Sequence, residues 1–524
     1  MSENSAIHQD RCDLLIIGGG INGVGIARDA AGRGHSVVLV EQDDLAGFTS
    51  SASTKLIHGG LRYLEYYEFS LVRESLRERE VLLKAAPHII QPLRFVIPHA
   101  HSLRPKWLVR LGLFLYDHLG GRKLLPPSKS IDLTSSVAGV PLRDELRSGF
   151  EYSDCRVDDS RLVVLNALAA ARSGASIRTR TRLVSARRSG DRWEAITENA
   201  VTGARSAIYA KVLVNASGAS VDKLLEQACG ITPRSGVRLV KGSHIVVPRH
   251  YDGAQAYMLQ NPDRRIVFVI PYEDDFTMIG TTETDWTGDA GPPSASPEEV
   301  RYLCDSVNRY FKSRIEPRDV VWSFSGVRPL YDDQAAEATA VTRDYVLELD
   351  AEGGAAPVLS VFGGKITTYR RLAQDALDKL APHLETATGD WTEHARLPGS
   401  DLPALDHGSA IERLMEERPF LGRPLAARLI RTYGSLARTM LGDADSLAGL
   451  GISFGAGLYQ REVDYLVENE WAMTARDILF RRTKLGLRLT EAEAASLEAY
   501  LSLRRDGLGA ADWPSDGSLR AGIQ

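Results

Sequence analysis

The chain has 524 residues, 44% of them apolar and 25% charged, the balance of a globular protein with roughly two or three domains. With 63 basic and 68 acidic residues its net charge is −5, which argues against general nucleic-acid binding. The cysteines, Cys12, Cys155, Cys229 and Cys304, lie far apart without metal-ligand spacing, so no metal site is expected.

The first ten residues are polar, with no signal-peptide pattern, and no run of about 18 apolar residues occurs. Membrane contact is therefore expected to be peripheral. Residues 12–41 read as strand, turn, helix, strand: an apolar run at Leu14–Ile17, then Gly18, Gly20 and Gly23 in GxGxxG spacing, a helix ending near Gly34, and a second strand at Ser36–Val40 closed by Glu41. Gly18 permits the tight turn, Gly20 lets the backbone approach a pyrophosphate, and Gly23 lets helix and strand pack closely. The helix N-terminus favours the phosphates, and Glu41 stands where an acid accepts from a ribose with a free 2′-hydroxyl. This unit by itself fits NAD or FAD.

Three later features favour FAD. The run 49–55, TSSASTK, offers hydroxyls and a cation (Ser50, Ser51 and Lys55 among them) for phosphate and ribityl contacts. A strand at 212–219 ends in the small residues Ala216, Ser217 and Gly218. Phe362-Gly363-Gly364-Lys365 precedes a helical pattern from about Thr368 to Leu380, whose N-terminus would stabilise negative charge on a flavin. Between these, residues 97–126 predict a helix with Leu108, Leu111, Leu115 and Leu119 on one face and Trp107 and Tyr116 as interfacial residue types. Arg104, Lys106, Arg110, Arg122 and Lys123 stand against Asp117. Such a helix lies either on an anionic lipid surface or on the protein core. Val237–Pro248 and Arg265–Pro271 read as strands, 386–405 as a linker, 406–510 as a helical domain for dimer or partner contacts, and the last residues as frayed.

The strings IIGGGINGVGIARDAAGRG (16–34), TSSASTKLIHGGLRYLE (49–65), FEYSDCRVDDSRLV (150–163), RLVKGSHIVVP (238–248), RIVFVIPY (265–272), GTTETD (280–285), SGVRPL (325–330), TRDY (342–345) and SVFGGKITTYR (360–370) resemble the aerobic FAD-dependent glycerol-3-phosphate dehydrogenases, within the glycine/D-amino-acid oxidase-like flavoproteins. A sparser likeness continues at 458–487. The resemblance implies an α/β fold: a Rossmann-type FAD-binding domain (11–85, 150–235 and 325–385), an inserted antiparallel-sheet substrate domain (86–149 and 236–324) and a mostly helical C-terminal domain. It implies oxidation of sn-glycerol 3-phosphate to dihydroxyacetone phosphate, hydride passing to flavin N5 and electrons to a membrane quinone. Arg62, Tyr63, Arg343 and Lys365 would hold the phosphate, and Arg328 would steady oxygen charge at the C1–C2 end. His244, or a bound water, would take the hydroxyl proton, and His58 would lie by the flavin. A near-dianionic substrate needs such fixed cations. The implied location is cytoplasmic, attached peripherally to the inner face of the membrane, with a homodimer among the open possibilities.

Other readings stay open on sequence alone. A glycerol-3-phosphate oxidase would hand its electrons to O2, and a related amine or amino-acid oxidase would need a site for one carboxylate. A non-catalytic dinucleotide-binding regulator would account for the glycines but not for the later strings.

Overall fold

The computed structural model describes residues 8–99, 105–121, 123–287, 293–332, 344–385, 388–402 and 406–508. The first sheet grows from the apolar runs at 14–17 and 37–40, which are buried on both faces and so suit a parallel sheet covered by helices. Across it the order is Val358–Phe362, Arg205–Asn215, His8–Ile17, Val37–Val40, Ser176–Arg178, with every adjacent pair parallel. Val346–Asp350 and the hairpin Thr181–Ser189/Arg192–Asn199 extend it with antiparallel pairing. Helices Asp159–Arg172 and Tyr369–Leu380 pack on the glycine-led helix Ile21–Gly32.

The register brings the parallel strands to one level. Ile17 pairs with both Val40 and Asn215, and Asn215 pairs with Ser360. The residues that follow, Gly18, Glu41, Ala216 and Gly363, therefore emerge along one edge. That edge, at the carboxyl ends of the strands, is where an open α/β sheet forms its ligand crevice.

The second sheet lies against this edge. Its order is Thr284–Asp285, Val237–Pro248, Phe276–Gly280, Ile266–Tyr272, Ala256–Gln260, Ile90–Pro98, Ser148–Val157, Leu56–Ile57. Trp322–Tyr331 pairs along the other side of Val237–Pro248, and Lys129–Asp132 joins Ser148–Val157. Pairing is antiparallel except between Ile90–Pro98 and Ala256–Gln260. Two expected domain limits shift here. Residue 150 falls inside Ser148–Val157 and residue 325 inside Trp322–Tyr331, and both strands belong to the second sheet. Their apolar runs suit either sheet, and only their partners decide between them.

Helices His407–Glu417, Gly422–Tyr433, Leu436–Leu441, Gln460–Glu470 and Glu491–Leu508 form the C-terminal region, which shares one apolar core with the first sheet's helices. Buried ion pairs cross the junction. Arg161 pairs with Glu470, Asp44 takes Arg482 at 2.8 Å and Arg481 at 2.5 Å, and Asp477 takes Arg180 at 2.8 Å. The expected linker is a packed segment over its described part. Trp391 lies 5.2 Å from the Arg28 guanidinium and donates to the Asp29 carbonyl, and Leu397 and Ser400 are buried. Its Gly, Pro and Thr residues read as a loop, which it is, but a loop laid on the core.

Candidate active site

The nucleotide end is a cradle that side chains would fill. Gly18 has φ +113°, and a Cβ there would stand 2.5 Å from the Ala216 carbonyl oxygen, while one on Gly23 would collide with the Gly18 carbonyl. The buried Glu41 carboxylate accepts from the Gly19 N–H at 2.7 Å and the Asp43 N–H at 2.8 Å. Burial pushes its pKa up to about 7, opposed by the Gly19 N–H. Each oxygen keeps a lone pair for a further donor. Ser50 Oγ accepts from Ile21 N at 3.0 Å at the start of the helix and also lines the cavity described below. Ser217 is turned onto Asn215, with Oγ donating to Oδ1 at 2.6 Å, and Gly218 has φ +62°. Gly363 and Gly364 follow in the left-handed region, with Asn22 Nδ2 donating to the Gly363 carbonyl at 3.1 Å. Asn22 Oδ1 is buried and has no hydrogen-bond partner among the described residues, so an acceptor is left for a polar ligand. These features fit FAD.

Two residues expected at the cofactor are engaged within their own loop and with Asp159. Lys55 Nζ sits on Asp159 at 2.7 Å and on the Ser51 carbonyl at 2.9 Å, and Ser53 Oγ donates to the same Asp159 at 2.7 Å. Ser51 Oγ donates to the Phe48 carbonyl at 3.2 Å. Neither Lys55 nor Ser51 lines the cavity. A buried ammonium needs an anion, and Asp159 supplies it.

At the other end a cavity of about 280 Å³ opens between the two sheets. Arg62, Tyr63, His58, Arg328 and Lys365 all line it, so most of the expected substrate set converges. Arg62 and Tyr63 stand on the short helix Leu61–Tyr66, which follows Gly60 at φ +74°. The turn before it rests on a buried chain of contacts: Gly59 N–H to the Tyr116 hydroxyl at 2.7 Å, that hydroxyl to Asp154 at 2.8 Å, and Asp154 to Arg79 at 2.7 Å. Tyr116 is thus a buried support and not the interfacial residue expected. Lys365 Nζ lies 3.9 Å from the Tyr63 ring centre. Arg328 stands 3.3 Å and Arg62 3.7 Å from the Glu283 carboxylate. Arg343 lies outside the described residues.

His244 does not itself line the cavity. It is 1% exposed inside Val237–Pro248, which has neighbours on both sides, and its ring stacks on Phe324 at 4.8 Å. Its Nε2 lies 3.0 Å from Thr54 Oγ1, and Thr54 lines the cavity. Burial, then Arg328 and Lys55, hold its pKa well below the usual histidine range. Sequence reasoning took Thr54 only as one hydroxyl of the run 49–55 and missed its pairing with His244, and it missed Glu283 and Asp159. Glu283 lay in a quoted string, but an acid was not sought in a pocket for an anion.

Dinucleotide cradle and cationic cavity meet at Ser50, Ile21 and Gly364, which makes this the site of a flavin-dependent oxidoreductase. The family model described as FAD dependent oxidoreductase matches residues 13–370, and that described as the C-terminal domain of alpha-glycerophosphate oxidase matches 391–512. The glycerol-3-phosphate dehydrogenase of Pseudomonas aeruginosa is 53% identical over 490 residues, covering 93% of this chain and 94% of that protein. The aerobic enzyme of that name from Escherichia coli K12 is 49% identical over 489 residues, covering 93% and 97%. The D-erythritol 1-phosphate dehydrogenase of Brucella abortus is also 53% identical, over 487 residues, covering 93% and 97%. The FAD-complexed structure of the Bacillus halodurans glycerol-3-phosphate dehydrogenase superposes with a TM-score of 0.73 at 26% identity, covering 100% of this chain and 97% of that one. The chain belongs to the FAD-dependent oxidoreductases, in their glycerol-3-phosphate dehydrogenase group.

Proposed function

We propose that this chain oxidises sn-glycerol 3-phosphate at C2 to dihydroxyacetone phosphate and passes the electrons to a membrane quinone. The observation that carries the reading is the convergence of Arg62, Arg328 and Lys365 with Tyr63 in one cavity beside the flavin cradle. FAD, when bound, supplies the two-electron acceptor for hydride. Lys365, Arg62 and Tyr63 bind the phosphate, joined by Arg343 on sequence grounds, and so fix which carbon faces the cofactor. Arg328 steadies charge on the reacting oxygen. The C2 hydroxyl proton moves to Thr54 Oγ1 as that hydroxyl gives its own proton to His244 Nε2, which the depressed pKa keeps neutral and able to accept.

Membrane attachment is supported by the helix Lys106–Leu119. Its core-facing side carries Leu113 and Tyr116, while Trp107, Leu108, Leu111 and Phe114 are exposed, Trp107 at 68%. The helix packs against Leu61–Tyr66, so a lipid-seated helix brings the cavity close to quinone in the bilayer. No helix of the described residues is long and apolar enough to cross a membrane. A tetritol phosphate is a second reading, favoured by the equal identity to the Brucella abortus relative.

The test is anaerobic titration of the holoprotein with sn-glycerol 3-phosphate and, separately, D-erythritol 1-phosphate, following flavin absorbance. The first should reduce the flavin at lower concentration, and a quinone analogue should reoxidise it faster than oxygen does. Absence of reduction by glycerol 3-phosphate overturns the substrate. Rapid turnover with oxygen, releasing peroxide, overturns the acceptor.

A further inference from the structure

Glu283 is the sole carboxylate among the described residues that line the cavity, set among Arg62, Arg265, Arg328 and Lys365. Its side chain is 9% exposed, so its negative charge is part of the pocket and not of the solvent front. It is also held in place. Its neighbour Thr282 donates from Oγ1 to the buried Glu299 at 2.7 Å and from its backbone N–H to the Ser243 carbonyl at 3.2 Å, and its other neighbour, Thr284, pairs with Lys241. Glu299 is held in turn by Ser243 Oγ at 3.0 Å and Lys241 Nζ at 2.9 Å.

A fixed carboxylate repels phosphate oxygens and accepts hydrogen bonds from hydroxyls. Standing between Arg62 at 3.7 Å and Arg328 at 3.3 Å, it bounds the phosphate-binding group of Arg62, Tyr63 and Lys365 and makes the Arg328 side suited to neutral groups that donate. We propose that Glu283 is a specificity-determining residue that accepts a hydrogen bond from the substrate's hydroxyl beyond the oxidised carbon, restricting the site to phosphorylated polyols. The inference rests on the glycerol 3-phosphate reading given above and deepens it.

The experiment compares sn-glycerol 3-phosphate with its analogue lacking the terminal hydroxyl, using FAD-loaded wild type, Glu283→Gln and Glu283→Ala. Flavin content and far-ultraviolet dichroism verify folding, and the isosteric glutamine variant decides where the alanine variant fails to load. Wild type should prefer the full substrate by about 10–100-fold in kcat/KM, the worth of a hydrogen bond to a charged group. Both variants should lose most of that preference, their kcat/KM falling several-fold further on the full substrate than on the analogue. Inorganic phosphate, as a competitive inhibitor, should bind the variants at least as tightly as wild type, because a repelling charge is gone. Equal losses on both compounds, with the preference intact, would make Glu283 a structural support and overturn the inference alone. If wild type is reduced by neither compound, the substrate reading falls and this inference with it.

Discussion

His244 meets the cavity through the Thr54 hydroxyl, its Nε2 lying 3.0 Å from Oγ1. If that hydroxyl relays the proton, Thr54→Val and His244→Ala each lower kcat by about 10²–10⁴-fold, with little effect on KM. The double variant should be no worse than the poorer single one, since both cut the same path. Steady-state rates with a soluble acceptor measure this, and multiplicative losses would refute the relay.

Lys365→Ala removes the cation stacked on Tyr63 and, on the proposed assignment, one charge-assisted phosphate contact. We expect kcat/KM for glycerol 3-phosphate to fall by about 30–150-fold, about 2–3 kcal/mol, chiefly through KM. A change confined to kcat would place Lys365 at the reacting end instead.

Asp44 is fully buried beneath two guanidiniums, those of Arg481 and Arg482. Asp44→Ala leaves both without this anion, a loss of about 3–5 kcal/mol. Urea unfolding followed by tryptophan emission gives the number, and a midpoint like that of wild type would mean the arginines find other anions.

His88 is wholly buried, and burial, then Arg161 and His407, press its pKa down to about 3. The unfolded chain binds a proton near the ordinary value of about 6.5 while the native state does not. Stability therefore drops as pH falls from 6.5 toward 3, with a limiting slope of about 1.4 kcal/mol per unit for this group. His244, also depressed, acts in the same direction. Urea midpoints should be lower at pH 5.5 than at pH 7.5, and His88→Gln should flatten the difference.

Leu111→Glu together with Phe114→Glu places charge on the exposed apolar side of the helix Lys106–Leu119, where Leu111 is 47% and Phe114 50% exposed. Co-sedimentation with anionic vesicles should fall, with turnover on a soluble acceptor unchanged. Undiminished vesicle binding would move the attachment elsewhere.

The nucleotide half was readable because its constraints are local. Glycines at fixed offsets, an apolar run and a closing acid each follow from backbone geometry, and Val237–Pro248 announced itself by its apolar, β-branched composition. What stayed hidden depends on partners. Ser148–Val157 reads alike for either sheet. That Lys55 pairs with Asp159, more than a hundred positions away, could not be read from its own run. His244 opens an apolar run after Gly242, and only the two flanking strands disclose how deeply it is buried. Tyr116 was weighed as an interfacial residue because one residue cannot disclose that a carboxylate lies beneath it.

Asp158 and Asp159 are adjacent, yet they hold distant parts of the chain: Lys484 lies 3.2 Å from Asp158, and Lys55 2.7 Å from Asp159. A single helix start thus clamps both the serine-rich loop and the far carboxy-terminal turn. Loosening of the turn at Lys484 would be felt at the serine-rich loop, and a Lys484→Ala preparation should turn pale well before it precipitates.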